Sequence, residues 1–141
     1  MQLQGIRRRI VYVGLYESIA FVCATLGFVG GSDAGIAAAS ALSVFGAIFA
    51  VAWNFTYNAL FERWEARNAV RGRSTLRRLA HAVGFELGFL LVLIPIAAWW
   101  LDISYLRSFV LNLSLNLFFF CYTIGFTWSF DRLFGLPAAA R

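Results

Sequence analysis

Two glutamates stand inside long apolar runs of this chain. Glu17 ends the stretch Arg9-Ile-Val-Tyr-Val-Gly-Leu-Tyr-Glu17, and Glu86 ends Arg78-Leu-Ala-His-Ala-Val-Gly-Phe-Glu86. In both, the acid lies eight residues beyond an arginine and directly follows an aromatic, Tyr16 or Phe85, and the two stretches are 69 residues apart. A charged side chain at the centre of a membrane span costs about 2.5–3.5 kcal/mol on insertion scales, so its presence points to function. Eight residues of helix advance about 12 Å, which carries Glu17 from an interface toward the middle of a bilayer. A carboxyl group there can hold a proton or an organic cation but not both comfortably. That exclusion is the least a proton/cation exchanger needs. The competing role is a glutamate satisfied by hydrogen bonds from a neighbouring helix. Glu86 reads equally as a second exchange site or as the stabilising copy.

Further polar and aromatic residues lie in the same runs. Asn54 and Asn58 are one helical turn apart, as are Asn112 and Asn116. Amides inside a bilayer need partners, and they either glue helices together or lend polarity to a binding site. His81 is either a hydrogen-bonded structural histidine or a proton relay, and its counterpart 69 residues earlier is Tyr12. Tyr16, Trp53, Tyr57, Phe85, Tyr122, Phe126 and Trp128 offer rings for stacking or cation–π contact, or for ordinary packing. Trp99 and Trp100 suit an interfacial belt. Gly14, Ser18, Ala20 and Ala24 around Glu17, and Gly84 and Gly88 around Glu86, permit close helix approach or leave room for a ligand. Glu62 and Asp131 end apolar runs, where a helix dipole disfavours an anion. Ion pairs between Arg9 or Arg78 and Glu62 or Asp131 are the expected compensation.

These residues need helices to hold them. Of the 141 residues, 61% are hydrophobic and 13% charged, against about 45–50% and 25% in soluble domains. The composition predicts an all-α membrane protein with four transmembrane helices, at about 10–29, 36–61, 79–101 and 108–130. The first is too long for a signal peptide's apolar region and contains Glu17, so it reads as a retained helix. The turns are 30–35 and 102–107. Residues 62–78 form an arginine-rich loop, expected to carry helical extensions at each side. All twelve basic residues are arginine, giving a net charge of +5. Eleven of the twelve fall on the side of the termini and the central loop; Arg107 is opposite. The positive-inside rule therefore predicts cytoplasmic termini. Arginines set between apolar runs do not make the solvated basic face that nucleic-acid binding requires. Cys23 and Cys121 are isolated apolar-run residues, and with a single histidine no metal site is expected. No cofactor is expected either. The chain lacks nucleophile-plus-base spacing and a phosphate-binding glycine loop, which speaks against an enzyme.

The offset of 69 residues continues into the other helices. Trp53, Tyr57 and Phe61 lie over Tyr122, Phe126 and Phe130, and Glu62-Arg63 lies over Asp131-Arg132. The unit is thus a helical hairpin repeated in tandem, 1–69 and 70–141. Both copies have the same orientation, related by an axis along the membrane normal. These paired motifs resemble the proteobacterial antimicrobial compound efflux transporters, which are built from two tandem bacterial transmembrane pair domains. The resemblance rests on Trp53, Asn54, Tyr57, Asn58, Phe61 and Glu62 in the second helix, and on Arg78, His81, Ala82, Phe85 and Glu86 in the third. Tyr122, Phe126, Trp128, Phe130 and Asp131 carry it in the fourth. In the first, Arg9 and Glu17 match, while Val13 and Tyr16 replace a small residue and a phenylalanine. The resemblance implies proton-coupled efflux of hydrophobic cations such as chlorhexidine, or of short diamines, across a bacterial inner membrane, with Glu17 central. A homodimer is expected because four helices leave little room for a path. The alternative is a small structural or assembly subunit of a membrane complex.

Overall fold

A computed structural model describes residues 5–67 and 75–135. Four helices account for nearly all of them: α1 Gly5–Gly31, α2 Ile36–Ala66, α3 Thr75–Leu101 and α4 Tyr105–Phe134. Each is long and apolar enough to cross a membrane. The helices outrun the apolar segments, mostly at the end carrying the termini. There α1 begins at Gly5 rather than residue 10, α2 continues to Ala66, α3 begins at Thr75 and α4 continues to Phe134. Hydropathy stops at the bilayer boundary, but the flanking Arg, Glu, Leu and Ala are good helix formers, so the helices continue. Residues 68–74 of the expected loop, including Arg71 and Arg73, lie outside the described residues, as do Pro137 and Arg141.

The helices form a ring. α1 touches α2 and α4, and α3 touches α2 and α4, while among the described residues the diagonal pairs do not meet. Every neighbour in the ring is antiparallel. The tightest packing is at the end bearing the two short turns, where Phe28, Ala39, Leu42, Ala97 and Leu101 form a buried cluster. α1 approaches α4 there through Gly27 and Gly31, whose missing side chains make room for Leu115 and Leu111. Ser32 closes α1 by donating to the Phe28 carbonyl at 2.6 Å. Asp102 takes φ 52° at the end of α3, a left-handed position that short polar side chains tolerate. Ser104 then caps α4 by accepting from the Arg107 N–H. α3 runs through Pro95, and Ser108 of α4 donates to the adjacent Ile94 carbonyl at 2.7 Å. Arg107 and Asp33 join the two turns through an exposed ion pair at 3.5 Å.

Candidate functional site

At the end carrying the termini, two seams hold the ring closed, and they are copies of each other. In the α2–α3 seam, Trp53 Nε1 donates to the Phe85 carbonyl at 3.1 Å. In the α4–α1 seam, its repeat mate Tyr122 donates to the Tyr16 carbonyl, also at 3.1 Å. His81 Nε2 shares a hydrogen bond with Asn58 Oδ1 at 3.0 Å. The mates of these residues, Tyr12 and Thr127, share one at 2.7 Å. Each seam adds a bond of its own: Tyr57 donates to the His81 carbonyl at 3.0 Å, and Tyr16 shares a bond with Thr123 at 2.8 Å. Rings fill the remaining space, with Tyr57 edge-on to Phe85 and Tyr16 edge-on to Phe126. A hydroxyl, amide or indole inside a bilayer loses water and must find a protein partner. Polar side chains of one helix are therefore matched to groups of the next.

The seams also settle the arginines. Asp131 pairs with Arg8, whose guanidinium lies 5.1 Å from the centre of the Phe130 ring. The repeat mate of Arg8, Arg77, stacks over Trp64 at 5.5 Å. For Asp131 the expectation named Arg9 or Arg78, and the structure gives Arg8 instead; Glu62, the other acid named, lies exposed. Helical phase is the reason. Residues 8, 12 and 16, like 77, 81 and 85, form one stripe at spacing four toward the seam, while 9 and 78 are rotated out of it.

Between these seams and the packed end lies a cavity of about 550 Å³, bounded by all four helices. Glu17 lines it. The glutamate lies twelve residues into α1 and fourteen from its end, about 18 and 21 Å along the axis, close to mid-span. Among the described residues its carboxylate has no hydrogen-bond or ion-pair partner. Glu86 differs. It is half-buried, does not line the cavity, and accepts a hydrogen bond from Asn116 Nδ2 of α4.

The repeat explains where the cavity lies. Six pairs of repeat-equivalent residues line it: Ala20/Phe89, Ala24/Leu93, Ser43/Asn112, Gly46/Leu115, Ala47/Asn116 and Ala50/Phe119. In every pair the residue from the first hairpin is the smaller. The second hairpin fills its own side; the first leaves the space empty, next to its acid. The lining residues that are exposed, Glu17, Phe21, Ala47, Ile48 and Val51, all belong to α1 and α2. The cavity therefore opens sideways between those two helices.

Of the candidates named from sequence, Tyr16, Glu17, Ala20, Ala24, Asn112 and Asn116 line the cavity. Trp53, Tyr57, Asn58, His81 and Phe85 meet in the α2–α3 seam, and Tyr122 stands in the opposite seam. Asn54 is exposed and accepts from Asn58 Nδ2 through its carbonyl at 2.8 Å. Glu86 is held by Asn116. The space beside Gly84 and Gly88 goes to the Tyr57 and Trp53 side chains rather than to a ligand. Sequence reasoning missed the small residues of α2 that line the cavity. The signal for them was in the repeat, at the positions where its two copies disagree.

A sequence model of a protein family described as chlorhexidine efflux transporter matches the chain twice in tandem, over residues 4–67 and 73–136. A short-chain diamines transporter of Vibrio parahaemolyticus is 40% identical over 86 residues, 61% of this chain and 61% of that relative's length. A short-chain diamines transporter of Acinetobacter baylyi is 30% identical over 127 residues, 90% of this chain and 89% of the relative. One from Acinetobacter baumannii is 29% identical over the same length. No solved structure matches the chain.

Proposed function

Because the chain belongs to the chlorhexidine efflux transporter family, we propose that it exports organic cations by exchanging them for protons at Glu17. The substrates on this reading are hydrophobic biocides of the chlorhexidine kind and short diamines, the latter named for the relatives. The observation that carries the reading is the free Glu17 carboxyl in a mid-span cavity walled mainly by apolar groups. An organic cation that loses water on entry needs a counter-charge, and a carboxylate in poor solvent supplies a strong one. A proton taken up by the same group cancels that attraction and releases the cation. Loading and unloading then alternate without a second site. The cavity's opening between α1 and α2 suits cations that partition into lipid first.

On this reading the two hairpins, 1–69 and 70–141, work as one unit in the bacterial inner membrane, with termini and central loop in the cytoplasm. The arginine distribution supports that orientation. A homodimer is part of the proposal, since four helices of one chain leave little room for a path. Glu17→Gln tests the mechanism. The variant keeps shape and hydrogen bonding but loses the charge. It is expected to insert and fold at wild-type abundance while export of a fluorescent cation falls to background. Loss of abundance instead of export would mean that Glu17 anchors a helix. Undiminished export by a stable variant would remove Glu17 from the mechanism.

A further inference from the structure

The two hairpins carry equivalent glutamates, yet among the described residues only Glu86 meets an amide of a neighbouring helix. We propose that Asn116 is a positioning residue that holds Glu86 out of the exchange cavity, so that a bound cation meets one carboxyl, Glu17, rather than two. Asn116 stands on the cavity wall between the cavity and Glu86, with its Nδ2 donating to Glu86 Oε1. Its repeat equivalent beside Glu17 is Ala47, also on the wall, which has no donor to offer. One turn earlier the two hairpins still agree, since Ser43 donates to the Ala39 carbonyl and its mate Asn112 donates to the Ser108 carbonyl, each at 2.9 Å. Equivalent positions of α4 and α2 therefore carry an amide in one hairpin and a methyl group in the other. A carboxylate that accepts a charge-assisted bond from a neighbouring helix is held in one rotamer. A carboxylate with no such donor is free to turn toward a ligand.

The inference rests on the proposed exchange role of Glu17 and adds its consequence for specificity. With Glu86 withheld, only one positive centre of a cation can sit on a carboxylate. Replacing Asn116 by an apolar residue of similar volume frees the second acid, and the cavity then favours dications over monocations.

Carbodiimide labelling tests the assignment on the full chain in lipid nanodiscs. Dicyclohexylcarbodiimide modifies accessible protonated carboxyls in apolar surroundings, and peptide mass spectrometry assigns the label to Glu17 or Glu86. In the wild type, Glu17 is expected to carry at least about ten times the label of Glu86, the ratio that 1.4 kcal/mol of hydrogen bonding sets. Asn116→Leu is expected to bring Glu86 to the level of Glu17 and to raise the affinity for 1,10-diaminodecane relative to tetraphenylphosphonium. Ala47→Asn, in the other hairpin, is expected to lower the Glu17 label to the wild-type level of Glu86. Equal labelling of the two acids in the wild type overturns the proposal, and so does an unchanged ratio in Ala47→Asn. Protection of Glu17 by tetraphenylphosphonium is a separate readout. If the labelling pattern holds without protection, cation binding at Glu17 fails and the role of Asn116 stands. If protection holds and the pattern fails, the role of Asn116 falls alone.

Discussion

His81 and Asn58 hold the α2–α3 seam at 3.0 Å, and in the α4–α1 seam Tyr12 and Thr127 make the corresponding bond at 2.7 Å. A phenol and an aliphatic hydroxyl occupy in one seam the geometry that an imidazole and an amide occupy in the other. The shared task is to tie two helices, and that task is indifferent to titration. Transplanting one pair onto the other side is therefore expected to be tolerated. His81→Tyr combined with Asn58→Thr should retain fold and cation binding, whereas His81→Ala should lower stability by about 0.6–2 kcal/mol, the range for polar contacts between membrane helices. Thermal unfolding in detergent and binding of tetraphenylphosphonium check the two variants. Loss of binding in the stable double variant would give His81 a chemical role.

At the scale of elements, glycine decides how near two helices come, but not every glycine does so. A Cβ at Gly88 would collide with the Trp53 ring, and one at Gly84 with the Tyr57 hydroxyl. Neither ring is free to withdraw, because Trp53 is tied to the Phe85 carbonyl at 3.1 Å and Tyr57 to the His81 carbonyl at 3.0 Å. Gly14, on the matching stretch of α1, has nothing within 4 Å of such a Cβ. Gly88→Ala is accordingly expected to destabilise by about 1–3 kcal/mol, as overpacking does. Gly14→Ala is expected to be neutral or mildly stabilising through helix propensity. Melting temperatures of the two variants in the same detergent separate them. The helices themselves were legible in the apolar runs. Their ends were legible only in part: helical extensions were expected on both sides of 62–78, and α2 and α3 have them, but hydropathy fades before the start of α1 at Gly5 and the end of α4 at Phe134. The partner of Asp131 was misplaced by one residue for a related reason. Repeat matching located Arg9, but only the stripe of residues 8, 12 and 16 shows which arginine faces α4.

The whole molecule is a duplication whose copies have diverged in how they line the cavity, and this divergence was the least legible part of the sequence. Matches between the copies, such as Glu17 with Glu86 and Trp53 with Tyr122, reveal the hairpin and its symmetry. The cavity arises from mismatches, which a search for similarity passes over. Ala20 and Ala24 leave open what Phe89 and Leu93 fill on the other side. An unfilled cavity is a standing loss of dispersion contacts, about 24 cal/mol for each Å³ left empty in a core. On the proposed function, room for a cation and stability pull in opposite directions at these positions. Giving the first hairpin the side chains of the second, Ala20→Phe with Ala24→Leu, is expected to raise the melting temperature in detergent while reducing tetraphenylphosphonium binding at least about tenfold, or 1.4 kcal/mol. Both residues lie beyond Glu17 along α1, so the substitution fills the space a cation would occupy and leaves the acid in place. A variant that binds as well as the wild type would show that the cation does not use this cavity. A variant that binds less and also melts earlier would show that the first hairpin has its small residues for packing, not for room.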